Sequence, residues 1–131
     1  MQIQDAVANF STTDVTITTT TERVAITTPL LRVNRNSAIV MIAAWGQVLL
    51  GTAITTMTPR IRRGTTITST LVSGEDAIAI QSAAATNAQY QMICFEQLTA
   101  EQIVQYSFTL TQTTASADGT IVQAGIFAIA V

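Results

Sequence analysis

Histidine and lysine are absent from this chain of 131 residues, cysteine occurs once, proline twice, and charged residues make up only 11%. Each absence removes a class of chemistry. Without imidazoles or lysine amines, the usual general bases, Schiff-base nucleophiles and imidazole metal ligands are missing. An enzyme would have to run on carboxylates or on Cys94, and a non-enzymatic protein is expected. The single cysteine excludes an intrachain disulfide, and it lies in the apolar string MICF, where a buried, inert thiol is the expectation. Six arginines against eight acidic residues give a net charge of -2, which supplies no field for steering onto nucleic acid or an anionic membrane. Neither is expected as a partner, and no cofactor or metal is expected. The opening MQIQDAVANFSTTD has no basic start followed by an apolar core, so it does not read as a secretion signal.

What is there is apolar and neutral. Apolar residues make up 48%, mostly Ala, Val and Ile, and polarity comes from two dozen Thr with many Ser and Gln. This is too hydrophobic for a disordered chain and too weakly charged for an ordinary monomer surface. Small neutral groups suit strand surfaces packed against other protein, so oligomerisation is expected. The length fits one domain able to bury a core.

The stretch SAIVMIAAWGQVLLG, Ser37 to Gly51, holds no charge. Its apolar part runs for thirteen residues from Ala38 to Leu50, short of the roughly 20 that a spanning helix needs. As a strand, it sets Ile39, Met41, Ala43, Trp45, Gln47 and Leu49 on one face and Val40, Ile42, Ala44, Gly46, Val48 and Leu50 on the other. Both faces are apolar, which implies cover on both sides. GIFAIAV at residues 125–131 repeats the pattern, with Ile126, Ala128 and Ala130 against Phe127, Ile129 and Val131. One face belongs on a core and the other at a subunit interface, for which Trp45, Gln47, Ile126 and Ala128 are the candidates. Phe10, Phe95, Phe108 and Phe127 read as core.

Other segments alternate with period two: VTITTT (Val15 to Thr20), RVAITT (Arg23 to Thr28), TTITSTLV (Thr65 to Val72), AIAIQS (Ala77 to Ser82), QYQMICFEQL (Gln89 to Leu98) and QYSFTLTQTT (Gln105 to Thr114). LTAEQ is the one plausible helical turn. About nine strands with turn signals roughly every 8 to 12 residues predict an all-β antiparallel sandwich or barrel. Residues 1–12, with Ile3, Val7 and Phe10 at near-helical spacing, read as an N-terminal arm, and 13–131 as one domain.

IVMIAAWGQVLLGT, QYSFTLTQ, an Asp-Gly loop and the terminal GIFAIAV together resemble strands C, G and H of the tumour necrosis factor and complement C1q superfamily. Ala43, Ala44 and Trp45 stand where that superfamily's central strand carries tyrosines. The resemblance implies a jelly-roll β-sandwich of nine to ten strands and a compact homotrimer whose inner sheets pack around the axis, an obligate interface resembling a core cut in half.

Among polar clusters, PRIRRG holds three of the six arginines, and Arg60, Arg62 and Arg63 are candidates for binding an acidic partner through their planar donor forks. The structural alternative is a solvated edge or an ion pair to an acidic residue across the trimer. Glu75-Asp76 after Gly74 reads as a solvated turn, with a hard-cation site as the alternative. Asp118-Gly119 is a hairpin-turn dipeptide. The reading that follows is a homotrimeric virion component that decorates or stabilises a capsid, with the major capsid protein as partner, or forms a fibre head. A C1q-like ligand- or glycan-binding head on an extracellular surface is the alternative. Such heads follow collagen-like or coiled-coil stalks, and neither Gly-X-Y repeats nor heptads precede Val15.

Overall fold

A computed structural model describes residues 6–17, 20–50, 55–73, 80–82, 87–112 and 119–131. Twelve strands are present among them: β1 (Ala6–Ser11), β2 (Val15–Ile17), β3 (Arg23–Thr27), β4 (Leu31–Val33), β5 (Ala38–Leu50), β6 (Thr55–Arg63), β7 (Thr70–Leu71), β8 (Ile80–Ser82), β9 (Asn87–Leu98), β10 (Gln102–Val104), β11 (Tyr106–Gln112) and β12 (Gly119–Ala130). All pairings are antiparallel. The first sheet runs β1-β12-β5-β9, with β2 beside β12 as well, and the second runs β3-β11-β6-β7, with β8 also on β6. From β3 onward the chain crosses to the other sheet after each long strand, in the order β3, β5, β6, β9, β11, β12. That is the antiparallel sandwich expected from the strand pattern, in the jelly-roll arrangement that the resemblance implies.

The core lies between the sheets. Even-numbered residues of β5 from Ala38 to Val48 face inward, as do Phe108 and Leu110 of β11, Ile61 and Met57 of β6, and Tyr90 of β9. The two sheets approach closely at Gly46, where an added Cβ would lie 3.2 Å from the Phe108 ring and 3.5 Å from Leu110. Phe108 is fully buried, and truncating such a ring costs about 3–5 kcal/mol. Leu31, Val33 and Val104, from the small β4-β10 pair, complete the core.

Several expectations are corrected. Val15 to Thr20 yields a strand only over Val15–Ile17 among its described residues, and residues 65–69 are turns and bends rather than strand. There the hydroxyls take over the local hydrogen bonding. Ser69 Oγ accepts from Thr66 N at 3.2 Å, and Ser69 N donates to Thr66 O at 3.1 Å. Side chains of this type compete with a ladder for backbone groups. LTAEQ forms a bend leading into β10, not a helical turn. The near-helical spacing of Val7 and Phe10 does not produce a helix either. Ala6–Ser11 pairs with β12, and the Asn9 amide donates to Thr27 O at 2.9 Å, tying this strand to the second sheet. Pro59 sits on β6 between Met57, which pairs with β8, and Arg62, which pairs with β7. Its other edge lies level with Leu110 of β11, and a residue without an N–H fits the edge where neither β7 nor β8 lies alongside.

Candidate functional site

Register places four strands' worth of side chains on the outer face of the first sheet. In successive rows stand Ala6, Ile129, Met41 and Phe95; then Ala8, Phe127, Ala43 and Ile93; then Phe10, Gly125, Trp45 and Gln91. Gln123, Gln47 and Gln89 form the next row, and Leu49 with Asn87 follows. Nothing on this face in the described strands is charged. Much of it is open: Ile93 is 66% exposed, Phe95 63% and Phe10 59%, with Ile39, Leu49 and Phe127 between 41% and 48%. Strands spaced about 4.8 Å apart and rising about 3.3 Å per residue give a face of roughly 600 Å². The whole face, its glutamine row included, approaches the ~800 Å² that each partner contributes to a stable interface.

Phe10, Phe95 and Phe127 are therefore surface residues, against the expectation that they are core; only Phe108 of the four is buried. Trp45 and Gln47 lie on the outer face, half-buried, whereas Ile126 and Ala128 point inward and are buried within the single chain. Outward on β12 stand Phe127 and Ile129. When both faces of a strand are apolar, alternation does not say which is inside. A register shift between Ile121 and Gln123 further moves the inward set from odd to even positions.

Within this face lies a groove of about 570 Å³. Ala43 and Gly125 form its floor, and Phe10, Trp45, Ile93 and Phe127 stand around it. Gly125 makes the shape possible, because a Cβ there would come within 2.8 Å of the Trp45 indole ring. The indole lies across the glycine and meets the Phe10 ring at 5.9 Å between centroids, tilted by 43°.

The outer face of the second sheet is polar and already engaged. Arg62 pairs with Glu22 through two hydrogen bonds, Nε to Oε2 at 2.7 Å and Nη2 to Oε1 at 2.9 Å, and its Nη1 donates to Ser69 O at 2.9 Å. Arg60 Nη1 lies 3.5 Å from Glu22 Oε1 and donates to Thr111 Oγ1 at 2.8 Å. Burial alone would raise the Glu22 pKa, but hydrogen bonds from Arg62 and Thr109 and the charges of Arg62 and Arg60 outweigh it and hold the carboxyl below its ordinary 4.5. The arginines thus have an acidic partner inside their own chain, forty residues away for Arg62. Arg63 points elsewhere, pairing with Glu96 at 3.3 Å; Glu96 also accepts the Tyr106 hydroxyl at 2.8 Å.

Cys94 is half-buried, and burial first, then the neighbouring Glu96, pushes its thiol up to about 11. It is protonated at neutral pH and has no nucleophilic character there. Among the described residues no cluster of His, Cys, Asp or Glu could hold a metal, and no helix is long and apolar enough to cross a membrane. Glu75, Asp76 and Asp118 lie outside the described residues.

No family model matches the chain, and no curated protein matches it. Among solved structures it is similar to the CBM22-1 xylan-binding domain of Paenibacillus barcinonensis Xyn10C, with 18% identity and a TM-score of 0.41 over 66% of this chain and 53% of that one. It is also similar to a chain of infectious bursal disease virus, Gx strain, with 10% identity and a TM-score of 0.44 over 97% of this chain. The chain spans about half the length of the first and 29% of the second.

Proposed function

We propose that this chain is a non-enzymatic structural protein that assembles with copies of itself into a homotrimer through the outer face of the first sheet. The observation that carries this reading is that face: four strands wide, uncharged, and apolar outside its glutamine row. A surface with neither sign of charge can meet its own copy without like-charge repulsion, and burying it removes exposed phenylalanines from water. The sheet's central strands, β5 and β12, are then covered on both sides, as their sequences require.

The trimer's place, in this proposal, is the virion, where it decorates or stabilises a capsid or forms a fibre head, with the major capsid protein as its partner. Assembly through the first sheet leaves the second sheet outward. There two guanidiniums face one carboxylate, leaving one positive charge to meet an acidic neighbour. Light scattering over a concentration series tests the assembly: a mass three times the 13.9 kDa chain is expected, and a monomer at every concentration overturns it. Co-sedimentation with capsids tests the location, and the Arg60→Ala/Arg62→Ala variant is expected to bind them more weakly.

The groove beside Trp45 favours a second reading, a ligand- or glycan-binding head on an extracellular surface. Its volume is within the ~300–1,000 Å³ usual for small-molecule sites. Saturable quenching of Trp45 by a glycan, with the protein monomeric, is the result that selects it.

A further inference from the structure

We propose that the groove between Trp45 and Ile93 receives the Phe95 side chain of a second copy of this chain, so that the first sheet's outer face carries both a projecting ring and the socket for it. The inference rests on the assembly reading and adds its register.

The socket exists because the face is uneven. Where Ala43 and Gly125 stand side by side in the central strands, the surface drops, and Phe10, Trp45, Ile93 and Phe127 rise around it. A hollow of about 570 Å³ edged by three aromatic rings leaves apolar surface in water unless something apolar enters. The occupant has to come from a residue that is exposed, apolar and not itself part of the wall. On this face those are Phe95 at 63%, Val131 at 54%, and Ile39 and Leu49 at 48% each. Phe95 is the most exposed of them and the one ring.

Its own ring does not fill the groove. Phe95 stands one row beyond Ile93 at the near end and four residues, roughly 13 Å, from Gln91 at the Trp45 end. It does not line the groove and stays 63% exposed. Another copy can supply the ring, because its Phe95 stands on the same kind of uncharged face. Each copy then gives one ring and takes one, which closes a symmetric assembly with no socket empty. Gln89, Gln91 and Gln97 flank the two features on β9 and supply a neutral polar rim. Such a rim surrounds a buried aromatic anchor in protein interfaces.

Trp45 is the only tryptophan in the chain, so its emission reports whether the socket is filled. The experiment follows Trp45 emission and acrylamide quenching together with light scattering during dilution of the full chain. Wild-type protein is expected to show blue-shifted, poorly quenched emission when assembled and red-shifted, quenchable emission once dissociated. Phe95→Ala is expected to remain folded, since the ring is exposed in the chain, and to weaken assembly roughly thirty-fold, as loss of a central aromatic anchor does. Ala43→Phe fills the socket from within and is expected to weaken assembly similarly. The double variant is expected to be no weaker than either single one. Thr70→Ala, exposed on β7 of the second sheet, is the control, with affinity unchanged.

If Phe95→Ala assembles with wild-type affinity and the same emission shift, the socket assignment is overturned while assembly through this face stands. If the wild-type chain is monomeric throughout, both are overturned. Saturable quenching of Trp45 by a small ligand in the assembled protein also overturns it, because the socket is then open.

Discussion

The two outer faces of the sandwich start from the same construction and end differently. On the second sheet, Ser107 and Thr109 of β11 point outward yet are fully buried, because their own chain covers them. Ser107 donates to Gly64 O at 2.6 Å and shares a hydrogen bond with Thr27, while Arg60 and Arg62 lie alongside under Glu22. That face finds its partners within the chain, and its hydrogen bonds are made on folding. The first sheet's outer face has phenylalanine, isoleucine and methionine where the second has threonine and arginine, and no segment among the described residues covers it. A polar face can be completed by one carboxylate forty residues distant. A largely apolar face of four strands needs an area of similar size, which in the assembly proposed above another copy supplies.

The sharpest way to break this contrast is to place the same charge on either side of one strand. Ile126→Asp puts a carboxylate among fully buried side chains, a cost of several kcal/mol against a total stability of about 5–15 kcal/mol. It is expected to unfold the chain. Phe127→Asp, one residue along and facing out, is expected to leave the strand signature in circular dichroism intact while abolishing assembly. A Phe127→Asp chain that keeps the wild-type mass would mean the outer face is not the interface.

The second face breaks at Glu22. Its side chain is 12% exposed and that of Arg62 16%, so Glu22→Ala strips a mostly buried guanidinium of two of its three acceptors and leaves Ser69 O. The expected loss is about 1–3 kcal/mol, read from the denaturant midpoint, with assembly unaffected at neutral pH. Acid tests the same pair. The folded state holds Glu22 below its ordinary 4.5, so the unfolded chain binds the proton more readily. The stabilisation is complete above the unfolded value and is lost as pH falls through the folded one. Wild-type protein is therefore expected to lose stability below pH 4.5 along a steeper course than Glu22→Gln, measured by unfolding midpoints across the range.

How much of this was legible in the sequence divides along the same line. β9 and β11 are visible as alternation and β5 as an uncharged apolar run, and the sandwich follows from their number and spacing. What alternation does not contain is a choice between two apolar faces: nothing in GIFAIAV ranks Phe127 above Ile126 until β12 is set beside β5 and the shift near Val122 is known. Phe95 is misread for the same reason, although its face on β9 also carries Gln91 and Gln97, a hint that it points outward. The Arg62–Glu22 pair is a contact across forty residues that no local pattern encodes. β7 is overestimated because threonines that favour strands also bind their own backbone.

The smallest expected effect concerns Gly125, where the groove is made. Gly125→Ala adds one methyl group against the Trp45 indole, inside contact distance. Overpacking in a core costs about 1–3 kcal/mol, but Trp45 is only half-buried and can swing outward into the groove. The cost to folding is then expected to stay below about 1 kcal/mol. The swing fills the socket and lifts the indole away from Phe10. The variant is expected to melt like wild type, to show altered Trp45 emission as a monomer, and to assemble less tightly. Weakened assembly with unchanged stability would place the glycine's role in the face's relief. A large loss of stability with unaltered assembly would place it in the packing of the sheet itself.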